Sequence, residues 1–371
     1  MEKYFVIEQK ALLAILSSMQ PICTKRTTID ATSTILFHIG YREAILKSTD
    51  LEISLQSSCP LIESNLNEPE TFLVPGKRIF DIVKELDGPI SCIISNNQLH
   101  LKAGSVNLSL NIKNAQDFPP FPERIENLMQ FGVTNLRTML ESVAFLIPQN
   151  NANPALNGLL LEISAEQFTL TATDGHCLAQ ARSTEYRLAE PHSWLLPRRA
   201  VFELKKILES TQDAEIFLGV CGKHLVFSGE LFNFFTRLIG DPFPQYQAIL
   251  DKVTFIPAQI DRAHLIKTLR RSACLLSGQF LATKFEFTAE QLRVSLHNKE
   301  VGNLDEYLPM QGFEDTLSLR FYAPYLLNGL QVFEQEKITF FLKNGTRPII
   351  FEAENQGMHL TYLVMPVSPT N

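Results

Sequence analysis

The sequence predicts an α+β protein made of three tandem, similar domains, and three observations support this prediction. An apolar segment that runs into a proline and basic residues occurs at residues 72–78 and again at residues 194–200. A weaker copy occurs at residues 319–327. The copies are about 120 residues apart, close to a third of the 371-residue chain, and a period of that length indicates repeated domains rather than a solenoid.

Each third opens with a predicted strand followed by a predicted amphipathic helix. The strands are residues 4–7, 130–133 and 253–256, and the helices are residues 9–19, 136–144 and 262–274. Thr134 or Asn135 is the predicted N-cap of the second of these helices, and Asp261 is that of the third. Short polar side chains favour this position because they accept hydrogen bonds from the free N–H groups of the first turn.

A second helix is predicted in each third, at residues 78–86, 199–209 and 324–333. Residues 168–173 alternate apolar and polar side chains with a period of two, which is typical of a strand. Further strands close each third, at residues 90–94 and 99–102, 214–218 and 225–228, and 337–342 and 348–352. Short turns between the strands predict mostly antiparallel sheets, with two helices packed on them in each domain.

Two proline-rich segments separate the thirds. Residues 117–122 and 241–246 each precede an opening strand, and proline cannot donate a hydrogen bond within a central sheet. We therefore expect a first domain at residues 1–125, a central domain at residues 126–251 and a C-terminal domain at residues 252–371.

Composition limits the class of protein. Hydrophobic residues make up 45% of the chain, enough for several packed cores, but no apolar run approaches the ~20 residues that span a bilayer. The first residues lack a signal-peptide core, and no two of the six cysteines are closely spaced. We expect a cytoplasmic protein with no membrane partner. The net charge of −7, taken alone, argues against nucleic acid as a partner.

Catalytic motifs are sparse. The Gly-Lys pair within residues 219–224 lacks the spacing of a phosphate-binding loop and predicts a hairpin turn. Neither a nucleophile elbow nor paired metal ligands occur, so we expect no cofactor and no metal. Asp174 and His176 could perform acid–base chemistry, yet Asp-Gly between alternating strands predicts a hairpin. Asp50 lies about one repeat earlier without a histidine, which favours a structural role, and no catalytic residue is predicted.

Basic residues are grouped on the predicted helices. They are Lys77, Arg78 and Lys84 in the first third, Arg137, Arg198, Arg199, Lys205 and Lys206 in the second, and Lys267, Arg270 and Arg271 in the third. A solvated helix face also carries such residues. Their recurrence in successive repeats indicates a positive surface that contacts phosphates without sequence preference. The helix at 324–333 has no Lys or Arg, so the pattern is incomplete.

The chain closes with an apolar strand at residues 359–367 that meets a proline. Such a segment is either a closing edge strand or one wall of a hydrophobic groove. In the second case Met365 would be an adaptable contact for partner peptides.

Several of these segments resemble the bacterial sliding-clamp family, the beta subunits of DNA polymerase III. They are residues 156–158, 172–179, 196–198, 241–246 and 362–367, and the likeness runs along the whole chain. The resemblance implies the DNA clamp fold, in which a ring-shaped, head-to-tail homodimer encloses double-stranded DNA. It also implies a processivity factor that tethers the replicative polymerase and performs no catalysis.

The resemblance further implies a partner-peptide groove between the central and C-terminal domains. Its partners would be the DNA polymerase III alpha subunit, the clamp loader, and other polymerases and repair proteins. Its residues would be Leu156, Thr173, Gly175, His176, Leu178, Pro244, Ile249, Phe280, Tyr325, Leu363, Met365, Pro366 and Val367. Cys177 and Ala248 stand where arginines are common in the family, which implies a less cationic groove with an altered peptide preference.

Subunit and DNA contacts also follow from the resemblance. Leu108 and Leu110 would lie on the edge strand of the first domain and face Cys274 and Leu275 of a second subunit, with ordinary core positions as the alternative for each. Arg26 matches a basic loop that touches DNA in the family.

Two other classes of function remain open on the residues alone. One is a monomeric peptide-binding scaffold that uses only the C-terminal groove. The other is an enzyme centred on Asp174 and His176. A His176→Ala variant separates the enzyme from a clamp, because an enzyme would lose turnover whereas a clamp would lose affinity for partner peptides. Monomers at micromolar concentration in analytical ultracentrifugation would favour the scaffold.

Overall fold

The structure is a computed structural model that describes residues 3–24, 27–276, 281–355 and 357–367. It is an α+β fold in which the strand ladders are antiparallel, and this confirms the predicted fold class. Within these ranges, no helix is long and apolar enough to cross a bilayer.

The helices α1 to α7 lie between groups of strands. In chain order they are Gln9–Cys23, Gly76–Lys84, Val133–Ala144, Arg198–Ser210, Gln247–Leu250, Arg262–Cys274 and Ala323–Leu330. Short 3-10 turns occupy Asp30–Ser33, Ala115–Asp117 and Pro154–Asn157. In α1, Leu12, Leu16 and Met19 recur at helical spacing and are buried, so the helix packs through one apolar face.

The strands follow the three repeats. β1 to β9 are Lys3–Glu8, Thr34–Ile39, Glu43–Thr49, Ile53–Ser64, Glu70–Pro75, Pro89–Ser95, Gln98–Ala103, Val106–Asn111 and Lys113–Asn114. β10 to β17 are Glu126–Gly132, Gly158–Ile163, Phe168–Thr173, Cys177–Ser183, His192–Pro197, Glu215–Cys221, His224–Ser228 and Phe232–Arg237. β18 to β25 are Ile256–Asp261, Thr283–Phe287, Gln291–Asn298, Gly302–Gln311, Leu317–Phe321, Lys337–Leu342, Ile349–Asn355 and Met358–Val364.

Some predicted element ends need correction. Asp261 is the N-cap of α6 as predicted, and its Oδ1 accepts from the His264 N–H at 2.6 Å. Thr134 and Asn135 lie inside α3, because the helix begins at Val133. The strand predicted at residues 253–256 was wrong, since Thr254 has a φ of 75° and β18 begins only at Ile256. A left-handed residue turns the chain and cannot continue an extended strand.

The chain divides into two compact units. Unit 1 comprises Met1–Leu136 and Phe202–Leu238, and unit 2 comprises Arg137–Val201 and Ile239–Asn371. The central repeat contributes to both units because its β17 pairs with β4 of the first repeat, while its β13 pairs with β25 of the last. The domain boundaries drawn after residues 125 and 251 stay a prediction.

Unit 1 contains a 13-stranded sheet. Its main path runs β10-β15-β16-β17-β4-β1-β6-β7-β8, and β3, β2, β5 and β9 branch from β4 in that order. Aromatic side chains such as Phe37, Phe234 and Phe235 are fully buried along it. The long β4 carries the connection between repeats, because β17 and β1 pair with successive parts of the same strand.

Unit 2 contains a 12-stranded sheet in the order β14-β11-β12-β13-β25-β24-β23-β18-β21-β20-β19-β22. β13 and β25 are paired over seven residues, from Cys177 opposite Val364 to Ser183 opposite Met358. This ladder places the turn before β13 beside the end of β25, and the candidate site is built at that place.

Candidate functional site

The turn between β12 and β13 is held by side-chain hydrogen bonds. Asp174 Oδ1 accepts from the N–H groups of His176 and Cys177 at 2.8 and 2.7 Å. The Thr173 hydroxyl donates to the Cys177 carbonyl at 2.6 Å. Gly175 has a φ of 94°, a conformation that favours glycine. The predicted hairpin is therefore present, and it exposes His176 at its tip.

An apolar cluster lies on the sheet face below this turn. Its buried members are Ala155, Leu160, Leu178, Leu195, Tyr246, Ile350 and Leu363, and the half-buried Ile239, Phe243, Ile249, Leu250, Phe255 and Phe341 pack against it. Leu178 and Leu363 are direct cross-strand partners, so their side chains point to the same face. We call this cluster, together with the partly exposed side chains around it, the groove.

Helix α7 contributes a second wall. The rings of His176 and Tyr325 stack with centroids 5.6 Å apart and an interplanar angle of 18°. Below them the buried Tyr362 hydroxyl donates to the Tyr325 carbonyl at 2.7 Å. Burial, with the nearby Asp174 carboxylate as a smaller cause, raises the pKa of Tyr325 above its ordinary value. Tyr325 is therefore a neutral aromatic wall over the physiological range.

The end of the chain forms the third wall. The Met365 N–H donates to the His176 carbonyl at 2.9 Å, and the Val367 N–H donates to the Arg320 carbonyl at 2.7 Å. Met365, Pro366 and Val367 are half-buried. Backbone hydrogen bonds thus fix this segment while its side chains stay partly accessible.

The connector at residues 241–251 crosses the same sheet face. Tyr246 inserts its ring into the cluster, and its hydroxyl donates to Glu162 Oε2 at 2.5 Å. Burial, followed by the hydrogen bond to Glu162, raises the pKa of this phenol. Ile249 on α5 is half-buried against the cluster, and Pro244 is exposed on the connector.

Sequence reasoning missed Arg347, which fastens the connector. Its Nη2 donates to the carbonyls of Ala248 and Asp251 at 3.1 and 3.2 Å, and its guanidinium lies 5.7 Å from the centre of the Phe255 ring. A cation thus contacts the backbone at Ala248, where the resemblance implied a lost arginine. Its position 99 residues further along the chain left no local signal for this contact.

Cys177 was expected to make the groove less cationic. Its side chain is buried, 1% exposed, and points away from solvent. Burial, with a smaller contribution from Asp174, raises the pKa of this thiol. Cys177 is therefore a small neutral core residue under the turn.

The structure brings most of the predicted groove residues together. Leu156 lies nearest to Gly175, since a Cβ built on the glycine would be 3.8 Å from Leu156 Cδ1. Thr173 and Leu178 are cross-strand partners. Phe280, also predicted in the groove, and Arg26, predicted to face DNA, lie outside the described residues. The assignment of the groove to partner binding stays a prediction at this point.

Ionic contacts surround one end of the cluster. Glu352 forms ion pairs with Lys252 and with His359, the latter at 3.6 Å. Burial opposes ionisation of Glu352, but hydrogen bonds from His359 and Lys252 outweigh it and lower the pKa of the carboxyl. Hydrogen bonding to Glu352 raises the pKa of His359. Lys252 also lies 4.4 Å from the centre of the Phe341 ring, so its charge is already engaged.

The same geometry bears on the enzyme alternative. Asp174 uses Oδ1 to hold two backbone N–H groups, and His176 is stacked on Tyr325. Asp50 in the first repeat accepts from Glu52 and Ile53 in the same way, at 3.0 and 2.8 Å. The shared pattern favours a structural role for both carboxylates. Among the described residues no cluster of His, Cys, Asp and Glu could hold a metal ion.

The predicted DNA-facing residues lie on α2, α3, α4 and α6. Seven are exposed, namely Lys77, Arg78, Lys84, Lys206, Lys267, Arg270 and Arg271, and Arg137, Arg198, Arg199 and Lys205 are half-buried. Arg198 Nε donates to the Ile147 carbonyl at 3.0 Å, and Lys206 pairs with Glu203 at 3.1 Å. In α6 the buried Leu265 and Leu269 lie on the face opposite to the cations.

The predicted subunit contacts occupy two different places. β8 is the terminal strand of its sheet, and its Leu108 is 37% exposed while Leu110 is half-buried. Cys274 is exposed at the end of α6, and Leu275 is half-buried beyond it. An edge strand with exposed apolar side chains is suited to pairing with another strand.

Comparisons with known proteins agree along the full chain. The N-terminal, central and C-terminal domains of the family described as DNA polymerase III beta subunit match residues 3–122, 130–245 and 251–368. The Pseudomonas putida beta sliding clamp is 29% identical over 98% of this chain and 99% of its own length. The Escherichia coli beta sliding clamp is 23% identical, with the same coverage.

Solved structures give the same result. The crystal structure of the Pseudomonas aeruginosa DNA polymerase III beta subunit has a TM-score of 0.90 and 26% identity, covering 98% of this chain and 99% of that one. The Pseudomonas aeruginosa sliding clamp bound to griselimycin has a TM-score of 0.89 at 26% identity, covering 99% of this chain and all of that one. The Bacillus subtilis sliding clamp, 20% identical over the full length of both chains, shares the fold with a TM-score of 0.90.

Three repeats joined by sheets that cross the repeat boundaries define a DNA-clamp fold. With all three domains of the family matched in order, the chain belongs to the DNA polymerase III beta subunit family.

Proposed function

We propose that this protein is a DNA sliding clamp that acts as the processivity factor of a replicative DNA polymerase. Two copies would join head to tail into a ring around double-stranded DNA. The ring would hold the polymerase on its template without catalysing a reaction itself. The ordered match of all three family domains over nearly the whole chain is the observation that carries this proposal.

The distribution of charge supports a nucleic-acid partner despite the net charge of −7. Exposed cations recur on α2, α4 and α6, and phosphate contacts of this kind bind a duplex without reading its sequence. Diffuse binding permits sliding, because no base contact has to be broken at each step.

The groove supports a second role, the capture of short peptides. Its apolar floor is flanked by the His176–Tyr325 stack, the half-buried residues 365–367 and the connector. Such a site suits an extended segment that inserts apolar side chains and bonds through its backbone. Its partners would be the polymerase alpha subunit, the clamp loader and repair proteins in the cytoplasm.

The edge strand β8 supports dimerisation over a monomeric scaffold. Val106 and Leu108 are 40% and 37% exposed on a strand that ends its sheet. Pairing with a second copy near Cys274 and Leu275 would cover this edge. Sedimentation of the native protein tests this step, and a monomer at micromolar concentration would favour the scaffold.

The topology of the substrate DNA tests the function as a whole. The protein is loaded by its clamp loader onto nicked circular DNA and onto the same DNA made linear, and retention is followed by gel filtration. A sliding ring stays on the circle and leaves the linear duplex through its ends. Equal retention on both forms would contradict the proposal.

A further inference from the structure

A cavity lined by both polar and apolar side chains adjoins the groove at Tyr246. It has a volume of about 560 Å³ and is lined by strands β11 to β14 and by the connector. Tyr246 and Leu250 belong both to this lining and to the apolar cluster of the groove. The two sites therefore share a wall, although their chemistry differs.

The cavity is rich in hydrogen-bond acceptors. Glu162 and Asp251 contribute carboxylates to its lining, and the described lining residues include no lysine or arginine. Glu162 accepts from Tyr246 through Oε2, and Asp251 accepts from the Val253 N–H through Oδ1. Each carboxylate thus has an oxygen beyond these bonds.

Two largely buried polar side chains add further acceptors to the lining. Thr169 is 5% exposed and Gln180 is 8% exposed, and both line the cavity. The Gln180 amide nitrogen donates to Thr171 and Tyr246, at 3.1 and 3.2 Å. Its carbonyl oxygen and the Thr169 hydroxyl have no hydrogen-bond partner in the part of the chain that the structure describes. Both oxygens are therefore available to accept hydrogen bonds from a donor that enters the cavity.

Nearby cations are engaged or lie outside the lining. Lys252 pairs with Glu352 and lies against the Phe341 ring. Arg182 is the cross-strand partner of Thr169, but it is not among the lining residues. His192 lines the cavity while stacked on Trp194, with ring centroids 4.8 Å apart.

The first repeat offers an internal comparison. There, Lys47 and Gln56 are cross-strand partners, as Thr171 and Gln180 are in the second repeat. The Lys47 ammonium lies 5.0 Å from the centre of the Phe121 ring. Phe121 belongs to the proline-rich segment at residues 117–122, which follows the first repeat as the connector follows the second. A resident cation thus meets the connector's aromatic ring in the first repeat. The second repeat has a neutral threonine at that position and the acidic Glu162 beside its connector tyrosine.

We propose that the cavity binds a guanidinium or ammonium side chain of a partner whose apolar segment occupies the groove. The inference rests on the proposed peptide-binding function of the groove. A guanidinium has five N–H donors, which match the acceptors of Glu162, Thr169, Gln180 and Asp251. Hydrogen bonds between ionised partners are the stronger class, so the cavity selects partners with a basic residue flanking the apolar segment.

Matched peptides test the proposal on the full-length protein. Each carries the groove-binding segment of the same organism's polymerase alpha subunit and a flexible four-residue tail at either end. The tail contains arginine or citrulline, its neutral isostere. At one of the two ends we expect the arginine peptide to bind about fivefold to tenfold more tightly in fluorescence titration.

Variants assign that preference to the cavity. Glu162→Gln keeps an acceptor for Tyr246 and removes the charge, and Asp251→Asn is a second, independent change. Both should reduce the arginine-to-citrulline ratio towards one. The control is Glu166→Gln, an exposed carboxylate near the cavity that does not line it, and it should leave the ratio unchanged.

The outcomes separate this proposal from the function of the groove. Equal binding of arginine and citrulline peptides at both ends overturns the cavity proposal and leaves the groove intact. An arginine preference that persists in Glu162→Gln and Asp251→Asn overturns it as well. Failure of every peptide to bind would overturn the peptide-binding function, and the cavity proposal with it.

Discussion

The first and second repeats meet in the same way as the second and third, but different side chains cover the two junctions. In the first junction, β4 pairs with β17 beside the turn at residues 49–53. In the second, β13 pairs with β25 beside the turn at residues 173–177. The Arg237 N–H donates to the Glu52 carbonyl, the Met365 N–H donates to the His176 carbonyl, and both distances are 2.9 Å.

The side chains at matched positions are all buried but differ in size. The pair Ser54 and Phe235 in the first junction corresponds to Leu178 and Leu363 in the second. Phe121 packs edge-on against Phe235, with centroids 5.3 Å apart. The second junction instead has its apolar floor beside the half-buried Ile249. The comparison teaches that one backbone arrangement can be covered by a phenylalanine pair in one junction and by the connector residues Tyr246 and Ile249 in the other.

The largest expected effects come from truncating Phe235 and Leu363, which occupy matched positions in the two junctions. Phe235→Ala should lower the free energy of unfolding by about 3–5 kcal/mol, and Leu363→Ala by about 2–5 kcal/mol, since both side chains are buried. Only Leu363→Ala should also weaken peptide binding, by about tenfold or more. Urea denaturation and peptide titration measure the two quantities. Equal loss of peptide affinity in both variants would break the comparison.

Removing the carboxylates of Asp50 and Asp174 tests whether the two matched turns are held in the same way. Asp50→Ala and Asp174→Ala each remove an acceptor of two backbone N–H groups. Each should cost about 2 kcal/mol in the free energy of unfolding, because unsatisfied N–H groups remain. Peptide affinity should fall in Asp174→Ala alone. A stable Asp174→Ala variant with a destabilised Asp50→Ala would show that the two turns are not equivalent.

The connector contact of Arg347 gives a sharper test of the second junction. Arg347→Met keeps much of the side-chain volume but loses the bonds to the Ala248 and Asp251 carbonyls. We expect about tenfold weaker peptide binding, equivalent to about 1.4 kcal/mol, because Ile249 would no longer be fixed. Arg182→Met serves as the control, since no hydrogen bond to the connector is described for Arg182. Unchanged affinity in Arg347→Met would mean that the connector holds its position without the guanidinium.

The smallest expected effect concerns the residue at the tip of the turn. His176→Ala removes the stack on Tyr325 and should weaken peptide binding about threefold, a typical value for an aromatic pair. Glu52→Ala, at the matched position of the first junction, should not change it. Loss of a defined catalytic turnover in His176→Ala would instead support an enzyme.

The sequence predicted features that depend on local spacing. Period-two alternation identified β12, Asp174-Gly175 identified the hairpin, and Asp261 identified the start of α6. Non-local features were missed. Arg347 reaches the connector across 99 residues, and the hydrogen bonds of Tyr246 with Glu162 and Gln180 depend on how the connector crosses the sheet. Periodicity assigns a residue to a face, but it does not specify which distant segment covers that face.

A crystal structure of the full-length protein with the polymerase peptide that we propose for the groove tests the difference between the junctions most directly. We predict an extended peptide whose apolar side chains contact Leu178 and Leu363 beside the His176–Tyr325 stack. A peptide seated at Phe121 and Phe235, or bound away from both junctions, would contradict the assignment.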